Sequence, residues 1–259
     1  MVEPSRPETK WTKTPEQDWS KAHMPNAYVG LDAFSVPMQG FQGSKAEHRM
    51  LYTALLYTPK KEHTRHLVDF GLDALAEQVR SLGLTDVSQF IAITDGGNGL
   101  EEALQRHLAE NITTILDWYH AAEHISDFAK VWHSSDEASC EQWRQEAKGI
   151  LYDHGGEALL DHLQRLNVPT EAREELRKLI GYFENNCHRT DYPNYRAKGW
   201  DIGSGPTEAG CKNIGERLKG SGMRWVEDGA ATVAALRALY VSGGHVWDGF
   251  WSQPQRLAA

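Results

Sequence analysis

Cysteine is scarce in this chain of 259 residues, which contains three: Cys140, Cys187 and Cys211. Their wide spacing matches neither a disulfide framework nor a zinc knuckle. The sequence therefore excludes a small secreted scaffold that depends on disulfides, and we expect a reducing, cytoplasmic setting.

Long hydrophobic runs are also missing. No stretch approaches the roughly 20 apolar residues that a membrane helix needs, and the N-terminus lacks the apolar core of a signal peptide. Residues 1–26 are polar and rich in proline, lysine and glutamate, so we predict a flexible N-terminal arm there. Internal repeats are absent too, which excludes a solenoid.

Positive charge is in deficit, because 27 Lys and Arg face 36 Asp and Glu and give a net charge of −9. This balance argues against a protein that coats nucleic acid. It remains compatible with a nuclease-type site, where an acidic cluster belongs to the chemistry and the basic residues are local.

Two acidic residues stand in segments that have the pattern of strands. The run Phe90–Thr94 is short, apolar and β-rich, and it stops at Asp95-Gly-Gly, which predicts a buried strand. In the segment 27–36 the alternation places Asp32 and Phe34 on one face. A carboxylate in mid-strand is costly to bury unless something pairs with it, and a metal ion would do so. The simpler alternatives are a turn residue for Asp95 and a solvated sheet face for Asp32.

A third carboxylate, Glu208, follows a turn that opens a predicted helix. Ser204 suits its N-cap and Pro206 its first turn. One helix face is polar and the other apolar: Glu208, Lys212 and Lys219 against Cys211, Ile214 and Leu218. A carboxylate that can hold a metal, with cations that can hold phosphates, suits phosphodiester chemistry. The alternative is a capped surface helix with a Glu/Lys pair.

The order of predicted elements defines the fold class. Strands are predicted at 27–36, 49–58, 64–68, 90–94 and 112–116, and helices at 70–82, 99–109, 206–219 and 228–241. The stretch 118–184 is predicted to be helical with breaks at 134–135, 155–156 and 167–169, and 185–204 is predicted to be a loop. This order predicts an α/β domain with an all-α insertion.

Several motifs resemble those of the DDE transposases of bacterial insertion sequences, most closely the ISKra type. The resemblance covers nearly everything from Tyr28 to Trp251. It is carried by Leu31-Asp32 with Val36-Pro-Met38, Thr94-Asp95-Gly, Ile115-Leu-Asp117-Trp-Tyr-His120 with Glu123-His124, Ile202-Gly-Ser-Gly…Glu208 with Cys211-Lys212, Arg217-Leu-Lys-Gly-Ser-Gly-Met-Arg-Trp225, Gly229-Ala230, Leu236-Arg-Ala238 and Trp247-Asp248…Trp251.

The resemblance implies an α/β, ribonuclease H-like mixed sheet flanked by helices, with an all-α insertion domain before the third acidic residue. The catalytic domain would then comprise 27–120 and 201–259, with the insertion at 121–200. Asp32, Asp95 and Glu208 would be the catalytic triad and would bind two Mg²⁺ or Mn²⁺ ions. The partner would be double-stranded DNA, both transposon ends and target, bound by a homodimer or higher oligomer in the bacterial cytoplasm at the nucleoid.

Local basic residues and one aromatic residue are the predicted DNA contacts. Lys212, Arg217, Lys219 and Arg224 form the densest basic stretch near the site, and we expect them to contact phosphates. Trp225 is a candidate for stacking on a base or sugar, and packing in the core is the alternative.

The chain departs from the family pattern in two ways. Ala33 replaces the glycine that follows the first carboxylate in the family, and we expect this small residue to be tolerated. Only about 26 residues precede the first predicted strand, whereas family members carry a substantial end-binding region there. The resemblance therefore predicts a truncated chain or a catalytic-core fragment.

Asp117 and His120 allow two interpretations, which are mutually compatible. Several eukaryotic and bacterial transposase families have a Cys or Asp, followed three residues later by a His, just after the strand that follows the second carboxylate. This resemblance implies that both residues support the site or contact DNA. Alternatively, Asp117 caps a helix that begins at Trp118.

Two rival functions remain open. His120-Ala-Ala-Glu123-His124 has the inverted pattern of a zinc peptidase, with two histidines four apart. That interpretation gives Asp95 and Glu208 no role. The other rival is an inactive transposase remnant that only binds DNA or dimerises.

Overall fold

The computed structural model of the chain describes residues 26–252, except 42–43, 45–46, 62, 83–86, 88, 97–101, 105 and 107–111. The predicted helix over 99–109 falls mostly outside the described residues, as does the predicted N-terminal arm up to residue 25.

A mixed five-stranded sheet is the centre of the fold. Its strands are β1 (Asn26–Pro37), β2 (His48–Tyr57), β3 (Thr64–Asp69), β4 (Gln89–Thr94) and β5 (Ile112–Leu116). The sheet order is β3-β2-β1-β4-β5, and β2 pairs antiparallel with both β1 and β3. This sheet and its flanking helices confirm the predicted α/β class, with a mixed sheet and a run of helices before Glu208, and they are compatible with a ribonuclease H-like fold.

Helices make up most of the rest. They are α1 (Leu72–Ser81), α2 (Trp118–Trp132), α3 (Glu137–Gln164), α4 (Arg173–Asn186), α5 (Tyr192–Ala197), α6 (Gly205–Glu216), α7 (Glu227–Val241) and α8 (Gly244–Ser252). No helix in the described part of the chain is both long enough and apolar enough to cross a membrane.

The segment predicted to be helical consists of helices, and they are interrupted near the predicted positions. α2 ends before the predicted break at 134–135, and 165–169 separates α3 from the turn that leads into α4. Within α3, Gly155 has a φ of 83°, so the helix is kinked at the predicted glycine pair. Glycine is required there because other residues rarely adopt this left-handed conformation.

The helices differ from the prediction in two places. The predicted loop 185–204 contains α5, because Asp191 caps that helix by accepting from the Asn194 amide at 3.4 Å, and Tyr192 and Tyr195 are buried. The coarse prediction also missed α8, a glycine-containing aromatic helix that buries Val246.

The chain divides into two compact units. The first comprises Met1–Phe90, Glu102–Ile112 and Gly205–Ala259, and the second comprises Ile91–Glu101 and Thr113–Ser204. In the first unit, residues in or next to β1, β2, β3, α6 and α7 form one apolar cluster: Phe34, Val36, Met38, Leu51, Val68, Cys211, Ile214, Leu218, Ala230, Ala234 and Ala238. In the second unit, Tyr192 of α5 donates its hydroxyl to the Leu116 carbonyl at the end of β5 over 3.0 Å.

Candidate active site

Asp32 lies in the middle of β1 and is half-buried. It pairs across the sheet with Thr53 of β2, whose hydroxyl donates to the Asp32 carbonyl at 3.3 Å. The Asp32 carboxylate accepts the amide of Ala33 at 2.7 Å. Since opposite residues of an antiparallel pair share a face, Asp32 and Phe34 lie on the face that carries Thr53 and Leu51, as the alternation predicted.

Helix α6 packs along this face of β1 in a defined register. Gly30 meets Thr207 so closely that a Cβ at residue 30 would lie 1.7 Å from the Thr207 hydroxyl oxygen. Eight residues later on the helix, a Cβ on Gly215 would lie 3.5 Å from the Phe34 ring. Glu208 is exposed in the first turn, beside the buried Thr207. Sequence reasoning missed Gly30, whose lack of a side chain permits this close approach.

Cys211, between these two contacts, lies beside Asp32. The pKa of the Cys211 thiol is raised to about 12, chiefly by burial, and the charge of Asp32 and a hydrogen bond between the two side chains act in the same direction. A hydrogen bond with Thr53 acts in the opposite direction. The apolar face of α6 predicted from sequence is confirmed, because Cys211, Ile214 and Leu218 are all buried.

Asp95 is exposed directly after β4, and buried polar residues lie close to its chain neighbours Thr94 and Gly96. Arg189, which is 5% exposed, donates to the Thr94 hydroxyl at 3.2 Å and to the side-chain oxygen of Asn186. Gly96 has a φ of 86°, and a Cβ there would lie 3.1 Å from Leu116. Asn186 and Arg189 therefore support the end of β4, next to Asp95. No sequence pattern indicated this support.

Tyr182 of α4 shares the surroundings of this strand end. Burial raises the pKa of its phenol well above the ordinary value, Arg189 lowers it, and Asp95 and Asp117 raise it. The centre of the His124 ring lies 3.9 Å from the centre of the Tyr182 ring. Tyr182 is therefore a neutral, partly buried side chain within the electrostatic reach of both carboxylates.

Asp117 is buried and caps α2, as the capping interpretation predicted. Its carboxylate accepts the amides of Tyr119 at 2.7 Å and His120 at 3.4 Å. It also accepts the amide of Ser204 at 3.0 Å and the hydroxyl of the same residue. The last two contacts link the cap to a segment 87 residues away.

His120 and His124 stand one helical turn apart, as their spacing requires. Their rings meet edge to face at 5.1 Å, and His120 Nδ1 lies 3.6 Å from a carboxylate oxygen of Glu123. Burial lowers the pKa of His124, and the neighbouring His120 lowers it further.

The basic residues after Glu208 are exposed. Lys212, Arg217 and Arg224 are open to solvent, and the Lys219 ammonium lies 4.9 Å from the centre of the Phe34 ring. Trp225 is half-buried against the apolar cluster.

The backbone of Trp225 bridges the end of β1, and its indole N–H donates to the Leu218 carbonyl at 2.9 Å. This placement fits the packing interpretation of Trp225.

The predicted triad has the right ligand chemistry for a metal site, but its three carboxylates do not form one in the part of the chain that the structure describes. Carboxylate oxygens are the ligands that Mg²⁺ and Mn²⁺ prefer. Within the described residues, however, no three His, Cys, Asp or Glu side chains form a group that could hold a metal ion. Asp32 and Glu208 belong to one unit and Asp95 to the other, so the convergence of the triad stays a prediction.

Comparisons with known proteins give only weak support for any likeness. No family model matches the chain, and no curated protein matches it. Among solved structures, the Drosophila P element transposase strand transfer complex is similar with a TM-score of 0.33 and 10% sequence identity. The match covers 88% of this chain and 65% of that chain, so this chain spans less than two thirds of its length. A likeness at this level supports no conclusion about fold or activity.

Proposed function

We propose that this protein is the catalytic core of a DDE transposase of the ISKra type, which cleaves DNA strands and joins them to target DNA. The observation that carries the proposal is the register of α6 on β1. It places the first turn of α6, with Glu208, beside Gly30, two residues before Asp32 on the same face.

Asp32, Asp95 and Glu208 would hold two Mg²⁺ or Mn²⁺ ions. Such ions, when bound, activate water or a 3′-hydroxyl and stabilise the leaving oxygen of an in-line displacement. The chain's own contribution is to hold three carboxylates on separate elements. Clustered carboxylates repel one another without a metal, and each one has to be fixed by its surroundings.

Double-stranded DNA is the proposed partner, bound by a homodimer or higher oligomer. The exposed side chains of Lys212, Arg217 and Arg224 would contact phosphates, which position the duplex without reading its sequence. The net charge of −9 makes such local cations important, because the chain as a whole repels DNA.

The test is a nicking assay on supercoiled plasmid DNA with Mg²⁺, Mn²⁺ or a chelator. We expect metal-dependent nicking that falls by orders of magnitude in Asp32→Asn, Asp95→Asn and Glu208→Gln, because each change removes a ligand charge while preserving shape. Glu216→Gln, at the other end of α6 and also exposed, is the matched control and should keep wild-type activity.

Other outcomes separate the rival functions. Nicking that survives Glu208→Gln would contradict the proposal. DNA binding without cleavage in either metal would favour the inactive remnant. Peptide cleavage that is lost in His120→Ala and His124→Ala, with bound zinc in the wild type, would favour the peptidase.

A further inference from the structure

Asp117 joins three segments of the second unit. Its carboxylate caps α2 and accepts two donors from Ser204, while its own backbone amide donates to the Thr94 carbonyl at 2.8 Å. The amide of Trp118 adds a further bond to the Ile202 carbonyl at 2.9 Å. Asp117 is 1% exposed and Ser204 is 7% exposed, so these bonds are shielded from water.

Both joined segments lead directly to predicted metal ligands. Thr94 is the last residue of β4 and immediately precedes Asp95. Ser204 immediately precedes α6, whose first turn carries Glu208. One buried carboxylate is therefore bonded to the chain just before the second and third acidic residues of the predicted triad.

A second capping aspartate in the same unit shows that capping alone does not require this arrangement. Asp136 caps α3 by accepting the amides of Ala138 and Ser139 at 3.1 and 3.2 Å and the Ser139 hydroxyl at 2.5 Å. All of these donors come from the helix it caps, and Asp136 is exposed. Asp117 differs in that half of its donors come from Ser204, 87 residues away.

From this difference we infer that Asp117 and Ser204 form a positioning pair, which fixes residues 202–204, the segment before α6, relative to the end of β4. The pair touches neither DNA nor metal, and it acts through the backbone that carries Asp95 and Glu208. The inference rests on the proposed function for its consequence in catalysis, but the pairing itself is a property of the fold.

Hydrogen exchange measured by mass spectrometry tests the pairing without any activity. The variants are Asp117→Asn and Ser204→Ala, and the matched controls are Asp136→Asn and Ser139→Ala. Asn keeps a capping oxygen but directs an NH₂ group toward the Ser204 amide. We expect exchange in 202–208 to become at least about tenfold faster in Asp117→Asn, and less so in Ser204→Ala, with no change there in the controls.

The consequence for catalysis is measured in the nicking assay. Turnover should fall about 10- to 100-fold and the Mn²⁺ concentration for half-maximal activity should rise, as for other residues that orient metal ligands. The dissociation constant for DNA should not change. A merely structural role would lower the active fraction without moving the metal requirement.

The outcomes distinguish the pairing from the proposed function. Unchanged exchange in 202–208 would overturn the pairing. Faster exchange with unchanged turnover and metal requirement would overturn the positioning role. A wild-type protein that neither nicks DNA nor binds Mn²⁺ would overturn the proposed function, and the exchange data would still decide the pairing.

Discussion

Asp32 and Asp95 are held in opposite ways. Asp32 lies in mid-strand, half-buried beneath α6, and its face of β1 packs into an apolar cluster. Asp95 is exposed at a strand end, and the residues behind it are buried polar groups, Arg189 and Asn186 among them. The first position depends on helix–strand packing and the second on long-range hydrogen bonds. Substitutions in the two regions should therefore have different consequences.

The largest expected loss of stability is in the apolar cluster between the sheet and α6. Leu218 follows α6 and is fully buried in the cluster, so Leu218→Ala leaves a cavity and should lower the free energy of unfolding by about 2–5 kcal/mol. Urea denaturation measures this loss. Val226→Ala, at a side chain that is 58% exposed, is the control and should change little. A loss below about 1 kcal/mol for Leu218→Ala would show that this packing does not hold α6 on the sheet.

Acid should weaken the same region through His66. Burial, and then the charge of Arg65, lowers the pKa of His66 to about 4, and Gly210 of α6 packs against its ring. Because the folded state holds this imidazole neutral, its stabilising contribution is complete above the unfolded pKa of about 6.5 and is lost as pH falls toward 4.

Urea denaturation at about pH 7.5 and about pH 4.5 measures this dependence. His66 should account for a loss on the order of 2 to 3 kcal/mol, which His66→Gln should remove. His154→Gln, at an exposed histidine of α3, is the matched control for the substitution itself. Equal pH dependence in wild type and His66→Gln would contradict this assignment.

The close approach of β1 and α6 gives the next effect. Gly30→Ala would place a methyl group inside Thr207, so the strand and helix have to separate, at a cost of about 1–3 kcal/mol. Gly149→Ala is the control in α3, where nothing lies within 4 Å of the added methyl. It should instead stabilise the protein by up to about 1 kcal/mol, since alanine favours a helix. Thermal unfolding of both variants measures the difference, and equal melting temperatures would refute the close approach.

Substitutions among the buried polar residues near Asp95 should have more local effects. Arg189→Met leaves the buried oxygen of Asn186 without this donor and should cost about 1–3 kcal/mol, with faster hydrogen exchange at 91–96. Arg189→Lys should not rescue the loss, because an ammonium lacks the planar fork of donors. Arg173→Met, at an exposed arginine of α4, should have little effect. Exchange at 91–96 that matches the wild type would show that Arg189 does not support this strand end.

The apolar region was the more predictable of the two from sequence. Alternation in β1 assigned the shared face of Asp32 and Phe34, and helical periodicity assigned the buried face with Cys211 and Leu218. Periodicity reports which face of an element is buried, but it does not report which element covers it. The contact between Cys211 and Asp32 was therefore visible only in the structure.

The polar region was largely unpredictable for a physical reason. Arg189 meets Thr94 across 95 residues, and Ser204 meets Asp117 across 87. A single hydrogen bond between distant residues leaves no periodic trace in the sequence. The capping role of Asp117 was predictable because a cap and its helix are adjacent, whereas its bonds to Ser204 were not.

A structure with Mn²⁺ located by anomalous scattering would show whether Asp32, Asp95 and Glu208 bind metal together. We expect two ions about 3.5–4 Å apart, with oxygens of all three carboxylates at about 2 Å from an ion. Glu208→Gln should weaken or remove the signal, and Glu216→Gln should not. Ions bound elsewhere, or Glu208 more than roughly 12 Å from the other two carboxylates in the metal-bound protein, far beyond the spacing of a two-metal site, would contradict the account.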